Sequence, residues 1–288
     1  MTSTSKAVRI QSLEGNRQSL DGGAMFGNAP RELWKSWHVP DHLGRIELAC
    51  RSMLAIIDGQ NVLFETGVGN YFPEALAMRY GIQNHSRFIL GESLNKIGIL
   101  EDQIQWVVLS HLHFDHAGGL LRPDGTLRFS KATYIVGRQA WERATQPHFR
   151  DRASFIQELP EALRLSGRLQ VVDGNESLFQ HQLTFRLSHG HTPGQLLSQV
   201  EGDKERVIFT GDLIPGSTWL HIPITMGYDR FAELVVDEKA ELLEASDGKP
   251  TWLFFTHDPK WAMGKARKDI KGRFVVYDHV AETNHLLS

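Results

Sequence analysis

Six consecutive residues, His111-Leu112-His113-Phe114-Asp115-His116, carry four groups able to bind a metal, and the apolar run Ile104-Gln105-Trp106-Val107-Val108-Leu109 leads straight into them. A short apolar run of that kind reads as a buried strand, so the ligands sit on the loop leaving its C-terminal end. Open α/β sheets place ligand sites at such strand ends. Neutral imidazole and carboxylate suit zinc, iron or manganese, with softness and geometry deciding among them. The bland alternative is a polar loop of solvated histidines. Three histidines and a carboxylate this close would repel and waste surface if they bound nothing. Gly118-Gly119 lets the backbone turn closely around whatever the loop holds.

The pattern repeats at three further strand ends. Residues 183–187 run into Ser188-His189-Gly190-His191-Thr192-Pro193-Gly194, residues 206–209 end in Thr210-Gly211-Asp212, and residues 251–255 end in Thr256-His257-Asp258-Pro259. Strands distant in sequence can bring such ends to one edge of a sheet. The candidate ligands are then His111, His113, Asp115, His116, His191, Asp212 and His257. A zinc ion takes about four ligands, of which a catalytic site draws three from protein. The set suits two divalent metals about 3.5–4 Å apart with one carboxylate between them.

His111-x-His113-x-Asp115-His116, His191 in Gly-His-Thr-Pro-Gly, Asp212 after Thr-Gly, and His257 together resemble the pattern of the metallo-β-lactamase superfamily, over nearly the whole chain from about residue 44. The resemblance implies a four-layer αββα sandwich, an α/β (α+β) fold, with the metals at one edge of its two sheets. It implies that His111, His113 and His191 hold one metal, that Asp115, His116 and His257 hold the second, and that Asp212 bridges. Zn²⁺ is the first expectation for both ions, with Fe or Mn as alternatives. Glu65 stands where that family has an aspartate in an Asp-Thr-Gly turn.

The rest of the chain reads as mixed strands and covering helices. Residues 7–10 could open a first strand, residues 46–57 and 61–65 look like two strands around Asp58-Gly59-Gln60, and helices are expected at 72–80, 87–97 and roughly 231–245. Without repeats, low-complexity segments or a convincing linker, residues 1–288 are expected to form one domain, with 1–43 as an N-terminal arm packing on or near the active site. The arm carries Asp21-Gly22-Gly23-Ala24-Met25-Phe26-Gly27 and then Pro30-Arg31-Glu32-Leu33-Trp34. Met25, Phe26 and Trp34 could wall the substrate site or pack on the core, and His221 could line the pocket or serve structure alone. His189 could stand behind the ligands or be partly exposed. Tyr228 and Asp229 are expected to begin the helix near 231. Asp258 could orient a ligand histidine or cap the turn before Pro259.

A net charge of −3 gives no basic footprint for nucleic acid. Cys50 is the only cysteine, which excludes an internal disulfide and a thiolate cluster. No run of 18 apolar residues spans a membrane, and the polar first ten residues carry no signal-peptide core, so a cytoplasmic enzyme is the default. A homodimer is left open.

Two cations lower the pKa of a shared water toward neutrality, so the expected activity is hydrolysis by a bridging hydroxide, with Asp115 or a metal-bound water as proton donor. The opening Gly-Gly-Ala-Met-Phe-Gly with Pro-x-x-Leu-Trp resembles that of acyl-homoserine-lactone lactonases and their organophosphate-hydrolysing relatives. That resemblance implies a small-molecule ester or lactone as substrate. Pro215 stands where those lactonases often have a tyrosine. The alternatives are phosphotriester hydrolysis, a glyoxalase II-like thioester hydrolysis using the cluster Lys265, Arg267 and Lys268, and an iron-dependent redox reaction.

Overall fold

The computed structural model describes residues 8–245 and 247–287. The chain opens with β1 (Val8–Leu13), β2 (Gln18–Asp21), two short helices α1 (Gly22–Phe26) and α2 (Arg31–Trp34), and β3 (Arg45–Leu48). It continues with β4 (Ser52–Ile57), β5 (Gln60–Phe64), α3 (Glu74–Arg79), α4 (Ile89–Lys96), β6 (Trp106–Val108), α5 (Phe114–Ala117), β7 (Thr133–Gly137), α6 (Arg138–Thr145), α7 (Leu159–Leu165) and β8 (Leu169–Val172). The second half supplies β9 (Ser177–Leu178), β10 (Leu183–Ser188), β11 (Gln195–Glu201), β12 (Arg206–Phe209), α8 (Ala232–Glu244), β13 (Thr251–Phe254), β14 (Met263–Lys268), β15 (Phe274–Val280) and β16 (Asn284–Leu287).

The strands form two seven-stranded sheets, ordered β16-β1-β4-β5-β6-β7-β8 and β15-β14-β13-β12-β11-β10-β9, and a two-stranded ribbon β2-β3. Both sheets are covered on both faces, which explains their nearly continuous apolar runs. In β4, for example, Met53, Ala55 and Ile57 face the second sheet, where they meet Phe209 and Phe254, while Leu54 faces α4 and α6 through Leu94 and Ala140. On the far side Val235 of α8 packs on Leu197, Ile208 and Leu253. The result is the expected layer order, helix, sheet, sheet, helix.

Direction of the strands decides where the site can be. β5 and β6 run parallel, as do β12 and β13. β10 is antiparallel to β11, which is antiparallel to β12, so β10 and β12 share a direction. The C-terminal ends of all five strands therefore reach a shared edge, as strand-end sites in α/β sheets require.

Two readings of the sequence need correction. Residues 46–57 are two strands in different sheets, because Ala49 and Arg51 turn away to donate their backbone N–H groups to the carbonyls of His257 and Thr256, at 3.3 and 2.9 Å. Tyr228 and Asp229 lie four and three positions before Ala232, the first residue of α8, and face the site instead of starting the helix. Lys265, Arg267 and Lys268 belong to β14, where Lys265 pairs with Asp278 and Lys268 with Glu244. Of the first strand, Ala7 lies outside the described residues, and β1 begins at Val8.

Candidate metal centre

The loop after β6 is folded tightly enough to turn four polar groups inward. Thr66 N–H donates to the carbonyl of His116 at 2.7 Å, and Gly119 N–H to that of Gly67 at 3.0 Å. Only glycine fits at 119, since a Cβ there would lie 2.1 Å from the Thr66 carbonyl oxygen. All seven candidate ligands are buried. Histidine and aspartate rarely occupy such positions without partners.

The side chains fall into two groups. His111, His113 and His191 each offer an atom within 4.8 Å of the others, and so do Asp115, His116 and His257. In the first group His111 Nε2 lies 2.9 Å, and His191 Nε2 3.3 Å, from His113 Nδ1. In the second, His257 Nε2 lies 3.2 Å from His116 Nε2. Asp212 stands between the groups. Its Oδ1 is 3.3 Å from Nε2 of both His116 and His257, and its Oδ2 is 3.3 Å from His191 Nε2.

Four of the five histidines are oriented through the other nitrogen, while His113 Nε2 is buried without a hydrogen-bond partner among the described residues. His191 Nδ1 meets Asp229 Oδ1 at 2.8 Å, His257 Nδ1 meets the carbonyl of Ala49 at 2.6 Å, and His116 Nδ1 meets Glu65 Oε2 at 2.8 Å. His111 Nδ1 lies 2.9 Å from Ser110 Oγ, which donates to Glu65 Oε1. These contacts put the proton on the outer nitrogen and turn the inner lone pair to the centre, as metal-holding histidines require.

Charge follows the same division. Burial, reinforced by the neighbouring imidazoles, holds His111 and His113 well below the usual histidine pKa, so both stay neutral. Burial opposes charge on His116 too, but Glu65, Asp212 and Asp115 outweigh it and raise that pKa. His257 is raised against burial chiefly by Asp212, and His191 by Asp212 and Asp229. Burial would raise Asp212, yet His116, His257 and His191 hold it well below the ordinary carboxylate range. The cluster attracts cations, and a metal there would take the place of those protons.

Two further observations fit a metal. Asp212 Oδ1 is buried without a hydrogen-bond partner among the described residues. Inner nitrogens approach one another at 2.9–3.3 Å, a crowding of donors and lone pairs around one small space. A shared cation resolves both.

A cavity of about 360 Å³ opens onto the cluster, with His113, Asp115, His191, Asp212 and His257 at its floor. Its walls include Leu20, Met25, Leu48, Phe114 and Met226, with Tyr228 and Arg150 as polar points. Of the arm residues proposed as walls, only Met25 lines it. Phe26 is stacked between Trp34 and Trp219, at 5.7 and 4.7 Å between centroids, and all three are buried in a separate core. His221 stacks on Trp37 at 5.8 Å, away from the cavity. None of Lys265, Arg267 and Lys268 lines it either, which removes the feature that favoured a thioester of glutathione.

Asp258 caps its own turn, accepting from the backbone N–H groups of Lys260 and Trp261 at 2.9 Å. His189 is half-buried and accepts from Gly194 N–H at 3.2 Å, a structural role. Glu65 keeps its place behind the ligands despite its extra methylene, on a backbone with φ of 62°.

Three contributors carried no signal in the sequence. Gln18 Nε2 donates to Asp115 Oδ2 at 2.6 Å from the arm. Asp229 reaches His191 from 38 residues away. Tyr228 faces the cavity, where burial and the nearby Asp115 push its hydroxyl up to about 12. An isolated polar residue, Gln18 at the start of β2 and the other two in the loop before α8, is the only trace each leaves.

The sequence profile described as the Metallo-beta-lactamase superfamily matches residues 45–257. An N-acyl homoserine lactonase from Bacillus thuringiensis is 26% identical over 212 residues, covering 68% of this chain and 76% of that protein. A protein from Staphylococcus aureus named as a probable metal-dependent hydrolase superposes with a TM-score of 0.86 at 22% identity, over 95% of this chain and 98% of its own. AidC, a dizinc quorum-quenching lactonase in complex with a product, superposes with a TM-score of 0.78 at 20% identity, over 96% of this chain and 95% of its own.

Proposed function

The chain belongs to the metallo-β-lactamase superfamily, and from that premise we propose that it is a hydrolase with two divalent metals that opens a small-molecule lactone or ester. Its metal dependence and hydrolytic class follow from the family, its lactonase relatives and the buried His/Asp cluster. The position of Asp212 carries the finer reading. One carboxylate with an oxygen toward each of two three-ligand groups is the arrangement that two cations need and one does not.

In this reading His111, His113 and His191 hold one metal, Asp115, His116 and His257 the other, and Asp212 both, with Zn²⁺ as the favoured ion. Bound there, the metals supply a water that ionises near neutrality and polarise the substrate oxygen. The chain does the rest. Gln18 fixes the Asp115 carboxylate through Oδ2, which leaves Oδ1 to take the proton given up by the attacking water and pass it to the leaving alkoxide. Tyr228, with its pKa pushed up to about 12, keeps its proton and offers a donor at the cavity wall. Leu20, Met25, Leu48 and Met226 exclude water from an acyl group. Apolar walls and a few polar points suit a small ester with an apolar stretch better than a polymer.

The test is a panel of acyl-homoserine lactones, aryl esters, phosphotriesters and a glutathione thioester on metal-quantified protein. Lactones and esters should be turned over with the highest kcat/KM. Turnover of the phosphotriester or thioester alone would replace this reading.

A further inference from the structure

One wall of the cavity carries charge that the proposed chemistry does not use. Asp151 is buried at this wall, and its Oδ2 holds Arg143 through Nε at 2.9 Å and Nη2 at 2.8 Å. Arg230 approaches the same oxygen only to 3.5 Å, beyond good hydrogen-bond reach. Its Nε and Nη1 are buried without hydrogen-bond partners among the described residues. Arg150 lines the cavity itself and donates from Nη2 to the carbonyl of Gly227 at 2.9 Å.

Two guanidiniums, those of Arg143 and Arg230, thus meet one carboxylate, and Arg150, the residue before Asp151, lines the same cavity. The other acids lining the cavity, Asp115 and Asp212, are engaged with the histidines of the floor. Buried cationic donors left unpaired are costly. An arginine has five N–H donors in a fork that matches a carboxylate, and Arg150 uses one of them within the protein.

The wall also sits close to the floor. Arg230 N–H donates to the carbonyl of His191 at 3.0 Å, and the bridge between His113 and Phe155 ties in the segment that carries Arg150 and Asp151. Arg150 and the floor residues line one cavity, the arrangement in which a molecule held at the floor by its scissile group can meet Arg150 with its far end.

We propose that this wall is an anion subsite, with Arg150 the direct partner and Arg143 and Arg230 the source of surplus positive charge, and that the substrate bears a carboxylate at the end remote from the bond cleaved. This deepens the hydrolase reading and rests on it. Arg150 is a specificity-determining residue in this scheme and takes no part in bond cleavage.

The experiment compares two esters of one length on the metal-loaded protein, the mono-4-nitrophenyl ester of adipic acid and 4-nitrophenyl hexanoate. Wild type should favour the carboxylate-bearing ester by about tenfold in kcat/KM, mostly through KM, and the preference should shrink in 0.5 M NaCl because part of the attraction is screened. Arg150→Met keeps the aliphatic stem and should bring the ratio of the two kcat/KM values close to one, while Arg150→Lys should restore part of it. Equal turnover of both esters by wild type overturns the subsite. So does an unchanged ratio in Arg150→Met, which would mark Arg150 as a purely structural tie to Gly227. Absence of turnover on both esters and on the lactone panel would contradict the hydrolase reading and take the subsite with it.

Discussion

Asp229 Oδ1 lies 2.8 Å from Nδ1 of His191, and its other oxygen accepts the backbone N–H of Met226 at 2.7 Å. One carboxylate thus orients a candidate ligand and fixes the loop that supplies Met226, Gly227 and Tyr228 to the cavity wall. Metal affinity and pocket shape are coupled through it.

Asp229→Ala should therefore weaken metal binding by about 10–100-fold, the range typical of partners that orient ligand histidines. Competition with a chelator of known affinity, followed by metal analysis, measures this directly. An unchanged affinity would mean that His191 is oriented by other contacts.

Glu65 is held in a left-handed backbone conformation and gathers His116, Ser110 and Thr256 around its carboxylate, the last at 2.9 Å. Glu65→Gln keeps the shape but cannot accept from all three donors. A lost charged acceptor in a buried network costs about 1.5–3 kcal/mol, and the His116 side of the centre should lose metal first. Titration calorimetry of the metal-free variant should show one weakened site, and two unaltered sites would argue against the network.

Phe26 is fully buried and stacked on Trp34 and Trp219 without reaching the cavity. Phe26→Ala should lower unfolding free energy by about 3–5 kcal/mol. Its effect on KM should be the same for short and long acyl chains. Urea unfolding and a chain-length series decide the point, and a selective loss of long-chain substrates would restore Phe26 to the substrate wall.

Lys239 donates to the carbonyls of Trp219, His221 and Ile224, the first two at 3.2 and 3.0 Å, and burial pushes its pKa down to about 7. The unfolded chain keeps this proton up to about pH 10.5. Between pH 7 and 10.5 the unfolded state therefore binds more protons, and this group makes folding more favourable as pH rises through the window. The stability of wild type relative to Lys239→Met should climb by on the order of 1 kcal/mol per pH unit from pH 7 to 9, the slope that a difference of one bound proton sets. A flat difference would show that the amine stays charged.

The metal cluster was legible because each candidate ligand follows an apolar run, so period and polarity together mark a strand end. Asp212 and His257 could be placed beside His111 without knowing the sheet order, since parallel strands deliver their C-terminal ends to one edge. Asp229, Gln18 and Tyr228 could not, because each acts across a tertiary contact that leaves no local pattern. The break at Ala49–Arg51 also escaped, as no glycine or proline marks it and its cause is the distant backbone of Thr256 and His257. β14 was hidden by its charges, since Lys265, Arg267 and Lys268 flank the one apolar residue among them, Ala266. Met25 and Phe26 are neighbours with equal claims on paper, and only the packing against Trp219 separates wall from core.

The central claim is that Asp212 joins two metals in one hydrolytic centre. Metal content per chain, measured on zinc-reconstituted wild type and Asp212→Ala alongside lactone hydrolysis, tests it most directly. Two zinc ions per wild-type chain, with Asp212→Ala retaining no more than one and losing at least about a thousandfold in kcat/KM, a loss on the order of 4 kcal/mol in the barrier, is the predicted result. One ion in a fully active wild type, or full activity in Asp212→Ala with both ions kept, would contradict it.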